Sequence, residues 1–250
     1  MKTSVSDTCA YRTVCLKAAI DDTFDTFKSQ SDYRAILEHA GTEVGRSCLD
    51  YIAKNRPALL DQLPKFAEND AVGTPYVSIY PEGTFSPTTL RYVKVLAELQ
   101  MLFGSLNDFK IIEVGCGYGG QAKIIQDAYR VQSYEIIDLP EVEALTIRYA
   151  NHFGLICKPY SCTQSLDLFI SNYAFTELSV ELQREHLTKI IPHCKRGYIT
   201  CNFLGSGYGV ESMSLGVIVD CIRAIGHDVE LTREVPLTYG NNIVLFWGRL

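Results

Sequence analysis

The sequence predicts an α/β protein: a mostly parallel sheet with an antiparallel strand at its C-terminal end, preceded by a helical extension. Three observations predict it. After Asn107, short apolar runs alternate with helical stretches, the pattern of strands joined by crossover helices. The last two apolar runs, "DVELTREVP" and "NNIVLFWG", are separated only by "LTYG". That is too short for a crossover, so the two must pair antiparallel. Before residue 105, apolar residues recur at three and four positions instead, which is helical spacing.

In chain order, "SDYRAILEHAGTEVGRSCLDYIAKN" reads as one helix over 31–55. Ser31 is its expected N-cap, and Tyr33, Ile36, Leu37, Ala40, Val44, Cys48, Tyr51 and Ile52 form its apolar face. Gly41 and Gly45 weaken that helix and allow close packing. Residues 69–86 are rich in Gly, Pro and Tyr and read as a long irregular cap or lid loop. Ser86 then caps a helix with Pro87 at its first position, and Gly104 ends it. Strands are expected at 110–114, 133–138, 155–159, 166–172 and 196–202, and helices near 119–130, 140–153, 180–191 and 211–226. The chain therefore divides into a helical extension, 1–105, and an α/β core, 106–250.

Composition excludes several classes. Apolar residues are 47% and charged residues 21% of the 250, as in ordinary globular proteins. No apolar run approaches the ~18–20 residues of a membrane span, and the first residues lack a signal-type apolar stretch. Nine cysteines, Cys9, Cys15, Cys48, Cys116, Cys157, Cys162, Cys194, Cys201 and Cys221, include no C-x-x-C pair. That odd number argues for reduced thiols rather than a disulfide framework or a zinc ribbon, and for a cytoplasmic location. The net charge is −6 without a Lys/Arg block, so nucleic acid is not an expected partner.

The chemistry-bearing stretch is "KIIEVGCGYGGQAKIIQDAYRVQSYEIIDLPEVEAL". It holds Gly115-x-Gly117-x-x-Gly120 and also Glu113-x-Gly115-x-Gly117-x-Gly119. The glycines follow a strand and open a helix, the context in which such a loop lets backbone approach a nucleotide. Asp138 ends the next strand, where a carboxylate accepts both ribose hydroxyls. NAD and S-adenosylmethionine (SAM) both satisfy this pattern. Glu113, placed to meet a methionine ammonium, favours SAM, as does the terminal hairpin, which breaks a doubly wound pattern. The short length after the loop also argues against a second nucleotide-binding half.

Five segments now carry a resemblance: "SPTTLRY", "IIEVGCGYGGQ", "YEIIDLPEVEAL", "LDLFISNYAFTEL" and "YGNNIVLFWG". Together, from about Asn69 to the C-terminus, the chain resembles the sugar O-methyltransferase family. The resemblance implies a Rossmann-like class I methyltransferase fold, with SAM as cofactor and methyl transfer to a hydroxyl of a sugar, nucleotide-sugar or other small acceptor. "IIDLP" also resembles the ribose-binding strand end of small-molecule O-methyltransferases, with Asp138 at the ribose. Many class I methyltransferases carry an adenine-binding Asp after strand three. Here only Ser161, Cys162, Thr163 and Gln164 precede Asp167, and Asp167 is expected to face elsewhere.

The expected cofactor-binding residues are Glu113, Gly115, Gly117, Tyr118, Gly119, Gln121, Asp138, Leu139, Asn172 and Tyr173. Ligands of open α/β sheets bind beyond the strand C-termini, so Glu177 is the expected catalytic base, with Glu211 second. Both are also acids that a helix N-terminus favours. His39, His152, His186, His193 and His227 show no paired ligand spacing, and no metal is expected. Tyr76, Tyr80, Thr84, Thr88 and Arg91 are candidates to cover the cofactor or grip a glycan. The expected partner is a small carbohydrate-like acceptor, with neither nucleic acid nor membrane, and a homo-oligomer is compatible with the sequence. The competing readings are a NAD-dependent reductase and a non-catalytic SAM-binding protein.

Overall fold

The computed structural model describes residues 3–161 and 165–250. Its main sheet has seven strands: β3 (Lys110–Val114), β4 (Ser133–Ile137), β5 (Lys158–Pro159), β6 (Leu168–Asn172), β7 (Gly197–Cys201), β8 (Val229–Arg233) and β9 (Ile243–Trp247). Their spatial order is β5-β4-β3-β6-β7-β9-β8. All neighbours are parallel except β9, which runs antiparallel to both β7 and β8. The expected terminal hairpin is thus formed, with its second strand inserted inside the first. The order reverses at β3, so a crevice opens between the C-terminal ends of β3 and β6.

Alternation along each strand builds the layers. Ile111, Leu168, Ile170, Tyr198, Val244 and Phe246 join one core cluster. Their sequence neighbours Ile112, Phe169, Ile199, Leu245 and Trp247 join the other. The first cluster contains α6 (Gly120–Ala128) and α7 (Pro140–Phe153), together with helices from the extension. The second contains α8 (Val180–Lys189) and α9 (Leu215–Ala224). In the extension, α1 (Cys9–Ile20) packs on α7, and α3 (Thr42–Asn55) packs on α5 (Pro87–Phe103). Among the described residues no helix is long and apolar enough to cross a membrane.

The elements of the core form where the sequence reading placed them, with trimmed ends. β5 shrinks to two exposed residues, an edge position where the proline ring costs no ladder bond. The extension differs more. The expected helix over 31–55 is two: α2 (Ser31–Arg34), capped by Gln30 with Ser31 inside, and α3, capped by the extended Gly41. Gly45 packs close, since a Cβ there would lie 2.1 Å from the Tyr80 hydroxyl. The 69–86 segment is also more regular than expected. It begins within a 3-10 turn, Ala67–Ala71, and contains a hairpin of β1 (Ser78–Tyr80) and β2 (Gly83–Phe85). Ser86, Pro87 and Gly104 bound α5 as expected; the Ser86 hydroxyl accepts from the Thr88 amide, and Gly104 adopts φ 70°.

Asn69 ties these parts together. Its amide donates to the Thr89 hydroxyl at 2.6 Å and to the Tyr118 hydroxyl at 2.8 Å, and its carbonyl oxygen accepts from Tyr149. Lys28 donates to the Asn69 backbone carbonyl at 2.6 Å, with its ammonium 4.1 Å from the Tyr118 ring centroid. Burial pulls the Lys28 ammonium down to about 8.

On the other face, Gly197 is paired directly with Trp247. A Cβ there would lie 2.0 Å from the indole ring. Gly197→Ala is therefore expected to lower stability by about 1–3 kcal/mol, the usual cost of overpacking a core. Chemical denaturation checks this, and an unchanged midpoint would mean that the ring is not seated over Gly197.

Candidate functional site

The Gly loop leaves β3 with three left-handed glycines: Gly115 at φ 77°, Gly117 at 55° and Gly119 at 92°. Side-chain-bearing residues are strained there. Space is also lacking. A Cβ on Gly115 would lie 2.0 Å from the Ala174 methyl, and one on Gly117 would lie 2.8 Å from Leu37 Cδ1. The Gly115 amide donates to the Ile137 carbonyl at 2.9 Å, which holds the turn against β4.

Above this loop lies a cavity of about 600 Å³. Its floor is the strand ends: Glu113, Gly115 and Gly117, Asp138, and Asn172 with Tyr173. One wall is the break between α2 and α3, with Leu37 and His39, and another is Arg91 and Tyr92 of α5. The far end holds Asn202, Tyr208, Thr238, Tyr239 and Asn242. A strap of residues 3–6 closes one side. The Val5 amide donates to the Glu177 carbonyl at 3.2 Å, and the Ser179 amide donates to the Thr3 carbonyl at 2.8 Å.

Three carboxyls and one guanidinium are the charged side chains lining the cavity among the described residues. Glu113 is buried and accepts from the Tyr134 hydroxyl at 2.8 Å. Burial pushes its carboxyl up to about 8. Asp138 accepts from the backbone amides of Gly117 at 3.0 Å and Leu139 at 2.8 Å. Burial still raises it to about 6. Glu177 sits on a 3-10 turn just past β6 and accepts from the Asn202 side-chain amide. Burial outweighs that bond and raises it to about 7. The cavity histidines are neutral, since burial lowers both His39 and His186 to about 4. Tyr173, at φ 63°, donates to Glu234, which also accepts from Thr238 and Asn242. This network anchors the 234–242 loop to the cavity floor. The side-chain nitrogen of Asn172 has no hydrogen-bond partner.

Glu113, Gly115, Gly117, Asp138, Leu139, Asn172, Tyr173 and Glu177 are thus brought to one cavity. Four other expected site residues are not. Tyr118 points into the core, held by Asn69, and Gln121 is buried with its amide on the Tyr92 carbonyl. Gly119 caps α6, where a Cβ would meet Thr146. Glu211 is exposed, and its backbone carbonyl accepts from the Val180 amide, away from the cavity. Of the loop candidates, Arg91 lines the cavity, whereas Tyr76, Tyr80, Thr84 and Thr88 do not. Asp167 lies at the opposite, N-terminal ends of the strands, where it accepts from the Lys110 amide and Lys195. Cys162, Thr163 and Gln164 lie outside the described residues. The cysteines among the described residues are free thiols. The sequence reading missed the strap, Leu37, His39, Thr238 and Asn242. Gly41 was the one signal available for the wall, since glycine also marks a helix start.

No family model matches the chain, and no curated protein matches it. Among solved structures, the chain is similar to magnesium protoporphyrin IX methyltransferase from Synechocystis PCC 6803. With bound SAH, that structure covers 83% of this chain and 100% of its own at 13% identity, with a TM-score of 0.52. With bound SAM, the coverage is 64% and 78% at 12% identity, with a TM-score of 0.50. Such identities speak for the fold, and the fold is the Rossmann-like one of class I methyltransferases, a mostly parallel sheet with a single antiparallel strand.

Proposed function

We propose that the protein is a SAM-dependent methyltransferase that O-methylates a hydroxyl of a small, carbohydrate-like acceptor. The observation that carries this reading is the charge of the cavity. One buried and two half-buried carboxyls face one guanidinium, and partial loss of solvent holds all three above their ordinary range. Such a lining favours a cationic guest and opposes an anionic pyrophosphate. The amide of Gly117, which a phosphate would need, is already taken by Asp138. The reductase reading loses ground on both counts. The free nitrogen of Asn172 adds an unused donor on the same floor. The solved methyltransferases of this fold with bound SAH and SAM support the same choice.

The residues fit that cofactor. Asp138, at the end of β4, would hold the ribose hydroxyls and Glu113 the ammonium. Bound SAM supplies an electrophilic methyl on a sulfonium. Glu177 would take the proton of the acceptor hydroxyl. A carboxyl with a pKa near 7 is well matched to that task. Asn202 holds one carboxylate oxygen and so fixes the direction of the other. The strap and the helix break cover two sides of the cavity, and reduced access of water strengthens these electrostatic contacts. At the far end, the exposed rings of Tyr208 and Tyr239, with the Glu234–Thr238–Asn242 network holding the loop of Tyr239, suit stacking against a polar ring. The free thiols accord with a reducing compartment, the cytoplasm.

Two outcomes test this reading. S-adenosylhomocysteine (SAH), whose ammonium persists across the range, binds best to ionised acids. Its affinity should therefore rise with pH from about 6 to 8, the span of Asp138 and Glu113, with proton release. Calorimetry in buffers of different ionisation enthalpy measures both, and clear NAD binding with no SAH binding would overturn the assignment. Glu177→Gln should cut turnover by about 10²–10⁴-fold while SAH affinity stays close to wild type. The wild-type rate should climb with pH through about 7, because a base works only when ionised, and the variant should be flat. Transfer of labelled methyl to free sugars and nucleotide-sugars reads this out. Wild-type protein that binds SAM and methylates nothing would leave the non-catalytic reading.

A further inference from the structure

The single guanidinium of the cavity is placed as a receptor rather than as a structural ion. Arg91 is only 7% exposed, and it lines the cavity. One of its terminal nitrogens donates to the Leu37 carbonyl at 3.3 Å. Its guanidinium carbon lies 5.2 Å from the Tyr173 ring centroid and 5.9 Å from that of Tyr92. Among the described residues no carboxylate forms an ion pair with it. The three cavity acids have other partners: Tyr134 for Glu113, backbone amides for Asp138 and Asn202 for Glu177. Glu38 attracts Arg91 from a distance, but its bonded oxygen accepts from the Ser86 hydroxyl.

A guanidinium offers five N–H donors in one plane. Aromatic neighbours supply cation–π attraction but no hydrogen-bond acceptor in the plane, which leaves the in-plane donors for a planar anion. A buried cation with most of its donors unused is costly until an anion completes it. The carbonyl of Leu37 fixes one side of the fork and thereby aims the rest.

We propose that Arg91 is the anion receptor of this cavity, its guanidinium taking a carboxylate or phosphate group of a small molecule bound there. This rests on the methyltransferase reading for the identity of that molecule. Two sources share the chemistry. One is the carboxylate at the amino-acid end of the cofactor, whose ammonium would meet Glu113. The other is an acidic group on the acceptor.

The test compares wild type, Arg91→Met and Arg91→Lys by calorimetry. The ligands are SAH and 5′-methylthioadenosine, which keeps the nucleoside and thioether and lacks the amino-acid end. A roughly ten- to hundredfold loss of SAH affinity in Arg91→Met, with methylthioadenosine unchanged, assigns the cofactor carboxylate; the unchanged nucleoside also shows that the fold is intact. Arg91→Lys should lose less, since it keeps the charge without the fork. If SAH affinity is unchanged, inorganic phosphate is titrated into the SAH-saturated protein, and binding that disappears in Arg91→Met assigns the acceptor. Equal loss for SAH and methylthioadenosine makes Arg91 structural and overturns the proposal. So does unchanged SAH affinity with no Arg91-dependent phosphate binding. Wild-type protein that binds neither nucleoside would remove the SAM reading, and phosphate binding to the ligand-free protein, compared with Arg91→Met, would still decide for or against Arg91.

Discussion

A carboxylate removed from water without a cation beside it costs several kcal/mol, and this chain places Glu113, Asp138 and Glu177 around one cavity. The surrounding structure is arranged to make that bearable. Tyr134, two backbone amides and Asn202 each give one of the acids a hydrogen bond. None of these donors carries a full charge, so the acids respond by holding their protons to higher pH. The site is therefore poised: a cation entering it would displace protons and gain electrostatic energy from the ionised acids.

The strand ends that carry these acids need a fixed backbone behind them. Gly115 and Gly117 can turn only because they lack a Cβ, one against Ala174 and the other against Leu37. Tyr118 between them and α6 reaches the opposite way, into the Asn69 cluster. The extension thus grips the loop from both sides, with Leu37 above it and Asn69 with Lys28 behind it. The helices before residue 105 share one hydrophobic cluster with the sheet, so glycine loop and extension stand on a common core.

Much of this was legible in the sequence where local pattern and tertiary role agree. The strand at 110–114 and the helix at 140–153 match to the residue, because alternation, Pro140 and Gly154 all point the same way. The 31–55 segment did not match, because periodicity sees apolar spacing and not the need to turn Leu37 and His39 into a cavity. Motif spacing identified the glycines but could not say which way Tyr118 points, since a loop has no fixed side-chain period. Glu211 was placed by proximity to β7 in sequence, yet the loop after β7 carries it out to solvent. Thr238 and Asn242 escaped notice because they reach the cavity through Glu234 and Tyr173, side chains some 60 residues apart in sequence.

The strap over the cavity has a kinetic side. Its two backbone bonds end on the Glu177 carbonyl and the Ser179 amide, beside the half-buried Glu177 carboxyl. Any displacement of the strap would therefore change the hydration of that carboxyl. Once hydrated, a carboxyl held near 7 by burial relaxes toward its ordinary acidity and sheds its proton to bulk. Closing and opening would then set two alternating acidities for one side chain: high affinity for a proton while the site is sealed, low affinity while it exchanges its contents.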